Sequence, residues 1–136
     1  IKKNIFIDRS LSHFKHSQII NLEETQNLLR EKNFDIVKLE NLSFDEQIYV
    51  FSNAKMVIGA HGAGLTNLCF SKEKTKVIEI RSSEPGYGFQ NKVYERISKI
   101  NNLDYSLFST PYLYEKNLKG DLFVDIKILD KQLENI

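Results

Sequence analysis

"VIGAHGAGLTNLCF", residues Val57 to Phe70, holds three glycines, two alanines and one histidine in its first eight positions. The opening Val-Ile-Gly-Ala fits a buried strand. The glycines that follow let the chain turn tightly and let another group approach the backbone closely. A short helix is expected from about Gly64. A strand running through a small-residue turn into a helix is the junction from which layered α/β domains are built.

The rest of the chain repeats that pattern. Asn4 to Asp8 (NIFID), Phe34 to Leu39 (FDIVKL), Lys55 to Ala60 (KMVIGA), Lys76 to Ile80 (KVIEI) and Asp104 to Phe108 (DYSLF) are short runs rich in Ile, Val and aromatics. Near-continuous apolarity at that length suits parallel strands covered on both faces. Helical patterns separate them. Asn21 with Glu24 offers a cap before LEETQNLLREKN, and Ser43 with Glu46 forms a capping box before an amphipathic run. FQNKVYERISKI follows the fourth strand, and Asp125 caps IKILDKQLENI. Strand and helix alternating in this way predict a doubly wound, three-layer Rossmann-like domain spanning residues 1–136. Its mostly parallel five-stranded sheet is expected in the order 2-1-3-4-5. No internal repeat or linker divides it.

Composition narrows the partners. Lys plus Arg number 19 against 18 Asp plus Glu. A balance that close provides no global field for nucleic acid or an anionic membrane, so an anionic ligand must be held by a local site. Cys69 is the only cysteine, which excludes an internal disulfide and a cysteine-rich zinc site. No apolar run approaches the ~20 residues that span a bilayer. The heavy use of Lys, Asn and Ile reads as an AT-rich, microbial coding bias, and the opening strand-like KKNIFIDRS fits the start of an excised domain or equally of an independent small one.

In a sheet of this order, ligands bind beyond the carboxyl ends of the strands where the order reverses, between the first and third. That rule selects two loops: the one beginning Arg9-Ser10, and His61-Gly62-Ala63-Gly64-Leu65-Thr66-Asn67. Backbone N–H groups at a glycine turn and the start of a helix favour an anion. His61 at the rim fits a satisfied structural residue, and equally can donate to a phosphate oxygen. Arg9 can grip one with two N–H bonds, and Thr66 and Asn67 add polar groups. Donors from two separate loops suit a diphosphate. The same small residues also fit plain helix–strand packing, and the sequence is neither a Gly-x-Gly-x-x-Gly nor a Walker A motif. Glu79, in a strand expected to be buried, must be paired. It either projects into the crevice toward ribose or sugar hydroxyls, or pairs with Arg81 or a lysine of the next helix.

Weaker candidates lie elsewhere. His13, Lys15 and His16 stand near the first loop. The Ser82 to Gly88 turn is placed to close over a ligand, though ordinary turn chemistry explains its Pro-Gly pair equally well, and Tyr112 and Tyr114 either stack on a base or sugar or cover a partner domain. Cys69 is expected on a buried helix face. Asn41-Leu42-Ser43 matches a glycosylation acceptor, though Ser43 is better read as the helix cap.

FDEQIYVFSNAKMVIGAHGAGLTNLCF followed by KVIEI resembles the carboxyl-terminal half of family 61 glycosyltransferases, a group with the two-domain GT-B architecture. The resemblance takes in IFIDRS as the family's first strand with its arginine, the IIN-EE entry to the first helix, and DIKILDKQLE at the end. Ser17 and Gln18 stand where family members often show a basic pair. The resemblance implies a donor-binding domain for a nucleoside diphosphate-sugar, a UDP-sugar foremost, transferred to a glycan acceptor in surface polysaccharide synthesis. It places Arg9 and His61 to Asn67 at the diphosphate and Glu79 at ribose or donor-sugar hydroxyls. An amino-terminal acceptor domain, absent from this sequence, would carry the general base, so no catalytic base is assigned. The chain lacks an Asp-x-Asp pair, and no metal is expected; side chains and helix termini stabilise the leaving diphosphate in such enzymes. The expected location is the bacterial cytoplasm, at the inner face of the membrane. A regulatory nucleotide-binding module would share the crevice. A response-regulator-like or flavodoxin-like domain would need an acidic cluster or a flavin-stacking aromatic there, and Arg9 after the lone Asp8 disfavours both.

Overall fold

The strands β1 (Lys3–Ile7), β2 (Phe34–Val37), β3 (Ala54–Ala60), β4 (Lys76–Ser82) and β5 (Asp104–Thr110) pair in parallel in the order β2-β1-β3-β4-β5. This is the expected doubly wound sheet. The computed structural model describes residues 2–13, 17–82, 92–110 and 121–136. Lys15, His16, residues 83–88, Tyr112 and Tyr114 lie outside them, as do residues 89–91 of the expected fourth-strand helix.

Alternation along the strands divides the core. Phe6, Ile58, Ile78 and Ile80 face one side, where they meet Leu28 and Leu29 of α1 (Leu22–Glu31) and Leu129 of α4 (Ile126–Glu134). Ile5, Ile7, Val57 and Val77 face the other, against Phe51 of α2 (Phe44–Ser52), Tyr94 of α3 (Val93–Ile100), and Leu65 and Leu68. Phe6, Ile58, Ile78 and Leu29 are wholly buried, each stabilising the fold by about 1.5–3 kcal/mol through the area it removes from water.

Local signals account for several helix ends. The Ser43 hydroxyl accepts from the Glu46 N–H at 3.1 Å, and the Glu46 carboxylate accepts from the Ser43 N–H at 2.9 Å, closing the capping box. Asp125 accepts from the N–H groups of Lys127 and Ile128, as its position predicts. Asn21 behaves differently. Its side chain makes no cap bond; instead its amide spans to Val124, donating to the carbonyl at 2.7 Å and accepting from the N–H at 2.9 Å. A short bridge between Ile19 and Leu122 lies beside it. Long-range pairing with the C-terminal segment has displaced the local cap.

The segment after β3 also departs from expectation. Ala63–Phe70 is a 3₁₀ helix, with Leu65 N–H bonded to Gly62 O and Ser71 N–H to Leu68 O. Three residues per turn replace 3.6. Gly62, Leu65, Leu68 and Ser71 are therefore buried together, while Ala63, Thr66 and Cys69 are exposed. Cys69, expected on a buried face, is turned to solvent by that period.

Candidate functional site

The chain leaves β1 at Asp8 and β3 at His61, side by side where the strand order reverses. Both residues stay in the ladder one step past their strands. Asp8 N–H donates to Val37 O and His61 N–H to Ile80 O, each at 2.8 Å. The two loops therefore start from fixed positions.

Asp8 shapes the first loop. Its carboxylate, 4% exposed, accepts from the Ser10 N–H at 2.8 Å and the Gln26 amide at 2.9 Å. Burial alone would raise its pKa, but the bonds from Ser10 and Gln26 and the charge of Lys38 outweigh burial and hold it below the ordinary value. The Arg9 carbonyl accepts from the Ser12 N–H and the Gln18 amide, which closes the turn. Ser10 is half-buried, and its backbone is tied to Asp8. His13 is exposed.

Arg9 does not stay on its own side of the crevice. A Cβ built on Gly62 would lie 1.7 Å from Arg9 Nη1 and 2.3 Å from its Cζ. The guanidinium occupies the space a side chain would take. Gly62 has an extended backbone (φ 170°, ψ 166°), so close approach, and not an unusual dihedral, is what requires glycine here. Burial lowers the Arg9 pKa, opposed by the Tyr94 phenol and the Glu40 carboxylate. A guanidinium stays charged under such a shift.

His61 is held from behind. Its Nδ1 lies 2.5 Å from Glu79 Oε2, and the Tyr105 hydroxyl donates to Glu79 Oε1 at 2.5 Å. Glu79 is 0% exposed, whereas the His61 side chain keeps 12% of its surface open. Sheet register produces the arrangement. Ile7, Gly59, Glu79 and Leu107 form one row across β1, β3, β4 and β5, and Tyr105 lies two residues before Leu107 on the same face. Gly59 carries no side chain between Ile7 and Glu79. The Tyr94 ring meets the imidazole edge-on, with centroids 5.0 Å apart and planes at 64°. Burial raises the Tyr94 pKa; the Thr66 hydrogen bond and the Arg9 charge oppose this, and the Glu79 carboxylate adds to it. The Tyr105 phenol is pushed far up by burial, by its bond to Glu79 and by that carboxylate's charge.

The expected residues thus separate into two groups. Arg9, His61, Gly62 and Thr66 converge at the mouth of the crevice, with Ala63 exposed beside them. Glu79 does not project into the crevice toward sugar hydroxyls, and Arg81 is not its partner. Both of its oxygens are committed to His61 and Tyr105, because a fully buried carboxylate needs partners on each. Asn67 is likewise turned away from the crevice. Its amide donates to Gln47 Oε1 at 2.8 Å, and Gln47 in turn donates to Leu39 O, tying the 3₁₀ segment to α2. At Gly64 a Cβ would meet Leu39 Cδ1 at 2.8 Å, so this glycine serves packing. Tyr94 and Tyr105 were not singled out from the sequence. Their only signal there was an aromatic in a helix and in a strand, which core packing explains equally well.

These elements define a doubly wound Rossmann-like domain with an arginine and a buttressed histidine at its switch point. The family model for glycosyltransferase 61 matches residues 2–78, more than half of the 136 residues. The chain belongs to the glycosyltransferase 61 family. The matched range contains Arg9 and the whole 61–67 loop and ends one residue before Glu79. A beta-1,2-xylosyltransferase of Arabidopsis thaliana is 37% identical over 67 residues, 49% of this chain and 12% of the relative. Beta-1,2-xylosyltransferase RCN11 of Oryza sativa subsp. japonica is 36% identical over 76 residues, 56% and 14% respectively. The EGF domain-specific O-linked N-acetylglucosamine transferase of Gallus gallus is 35% identical over 68 residues, 50% and 12%. The matched stretch thus spans only a small part of these relatives. They come from plants and a bird and lend no support to the microbial source expected from composition or to the bacterial location expected with it. Among the described residues no helix is long and apolar enough to cross a membrane.

Proposed function

We propose that this chain is the donor-binding domain of a glycosyltransferase, holding the diphosphate of a nucleotide-sugar, a UDP-sugar foremost, between Arg9 and His61. The observation that carries this reading is the Arg9 guanidinium lying against Gly62, where it meets the 61–67 loop at the switch point. A guanidinium presents paired N–H donors that match phosphate oxygens. The exposed Thr66 and Ala63 leave the outer side of the 3₁₀ segment open to the rest of the nucleotide. As the sugar leaves, the growing diphosphate charge is met by the Arg9 and His61 side chains. A glycan acceptor, a surface polysaccharide in the first instance, and the general base belong to an acceptor domain outside this chain.

Calorimetry on the isolated 136-residue chain tests this. UDP is expected to bind at least about tenfold more tightly than UMP, since each charge-assisted hydrogen bond is worth roughly 1.5–3 kcal/mol. The chain is expected to transfer no sugar by itself. Equal affinities for UDP and UMP would refute the diphosphate site, and robust transfer by the isolated chain would refute its role as half of a cleft.

A further inference from the structure

His61 has two ring nitrogens, and one of them is spoken for. Nδ1 faces Glu79 Oε2 at 2.5 Å, and the other carboxylate oxygen is held by the Tyr105 hydroxyl. Glu79 has no exposed surface, so its carboxylate is closed to water. With one proton between Nδ1 and the carboxylate, the imidazole is neutral, and Nε2 carries a lone pair. A lone pair repels a phosphate oxygen. Nε2 becomes a donor only when the His61–Glu79 pair holds a second proton, on whichever partner it rests.

We propose that Glu79 and Tyr105 are positioning residues that turn Nε2 of His61 toward the crevice, so that diphosphate binding requires one extra proton on the His61–Glu79 pair. The inference rests on the donor-site reading above and adds to it a proton taken up with the ligand. The groups around the imidazole fit that role. Glu79 faces it from β4, Tyr105 stands behind Glu79 from β5, and Tyr94 lies edge-on from α3. Arg9 reaches Gly62, the next residue, from the loop after β1. Farther out, Arg81 and Glu95 act on Tyr105, and Glu40 on Arg9. Arg9 supplies a permanent charge for the ligand at every pH, whereas His61 supplies one that depends on the proton. Burial of Glu79 keeps solvent from replacing either of its two bonds. Tyr105 holds the carboxylate in place from the side opposite His61.

Two measurements on the intact chain test the proposal. Nitrogen-15 NMR of the imidazole, without ligand at pH 9, is expected to show the Nδ1–H tautomer with a bare Nε2. A neutral Nε2–H tautomer would overturn the positioning role, whether or not UDP binds. Calorimetric titrations with UDP from pH 6 to 9 follow. Wild-type affinity is expected to fall with rising pH more steeply than that of His61→Gln, approaching about tenfold per pH unit for one linked proton. Ionisation of UDP itself is common to both proteins and cancels in the comparison. In Tyr105→Phe the carboxylate loses the donor that fixes it, and the Nδ1–H signal of His61 is expected to weaken. Parallel curves for wild type and His61→Gln would overturn the proton linkage while leaving the donor site intact. Absence of UDP binding at every pH would overturn the donor site and the linkage together.

Discussion

The guanidinium of Arg9 lies over the α-carbon of Gly62, its Nη1 only 1.7 Å from where a Cβ would stand. Gly62→Ala therefore cannot leave Arg9 in place. The backbone dihedrals of Gly62 are open to alanine, and the obstacle is the end of a flexible side chain, so the fold survives by moving the guanidinium. UDP affinity is expected to drop about tenfold or more through loss of a charge-assisted contact. The melting temperature should shift by only a degree or two. Calorimetry paired with thermal melts checks both, and unchanged affinity would remove Arg9 from the site.

Gly64→Val makes the opposite prediction. A side chain there meets Leu39 and, farther off, Ile7, both of them buried. Overpacking of this kind costs about 1–3 kcal/mol. Urea denaturation should show that loss, while UDP affinity of the folded protein stays within about twofold. Intact stability with weakened binding would return Gly64 to the crevice.

Asp8 is expected to shape the acid limb of stability. Its pKa in the folded chain is lower than in the unfolded chain, so its contribution is fully present above the unfolded carboxylate range and is lost as pH falls through the folded value. Stability should therefore decline below about pH 4, the ordinary carboxylate range. Asp8→Asn should flatten that decline and loosen the Arg9 loop. Melting temperatures between pH 2 and 7 provide the check; parallel profiles for the two proteins would contradict it.

Asn21→Ala should unfasten the C-terminal segment. It leaves the N–H and carbonyl of fully buried Val124 without their partner, a loss of about 1–3 kcal/mol for an unsatisfied buried group. Hydrogen exchange should quicken in α4, while UDP binding persists. Uniform protection across α4 in the variant would show that the amide clamp is dispensable.

The strands, their order and the switch-point position of Arg9 and His61 were legible in the amino-acid sequence. Short apolar runs, capping residues and helix–strand alternation are local signals, and the handedness of crossovers leaves few ways to assemble them. The capping box at Ser43 and the Asp125 cap are local in the same sense, since donor and acceptor lie within three residues. The partners of the site's side chains were decided only by the tertiary structure. Glu79 finds His61 and Tyr105 because three strands align in one register, a relation spread over 45 residues of chain from His61 to Tyr105. The cap expected of Asn21 was lost to a partner 103 residues away. The three-residue period that exposes Cys69 arose from how Leu65 and Leu68 pack beneath α2 and α3. Side-chain hydrogen bonds depend on distances of a few tenths of an ångström, and the packed sheet sets those distances after the local pattern has done its part.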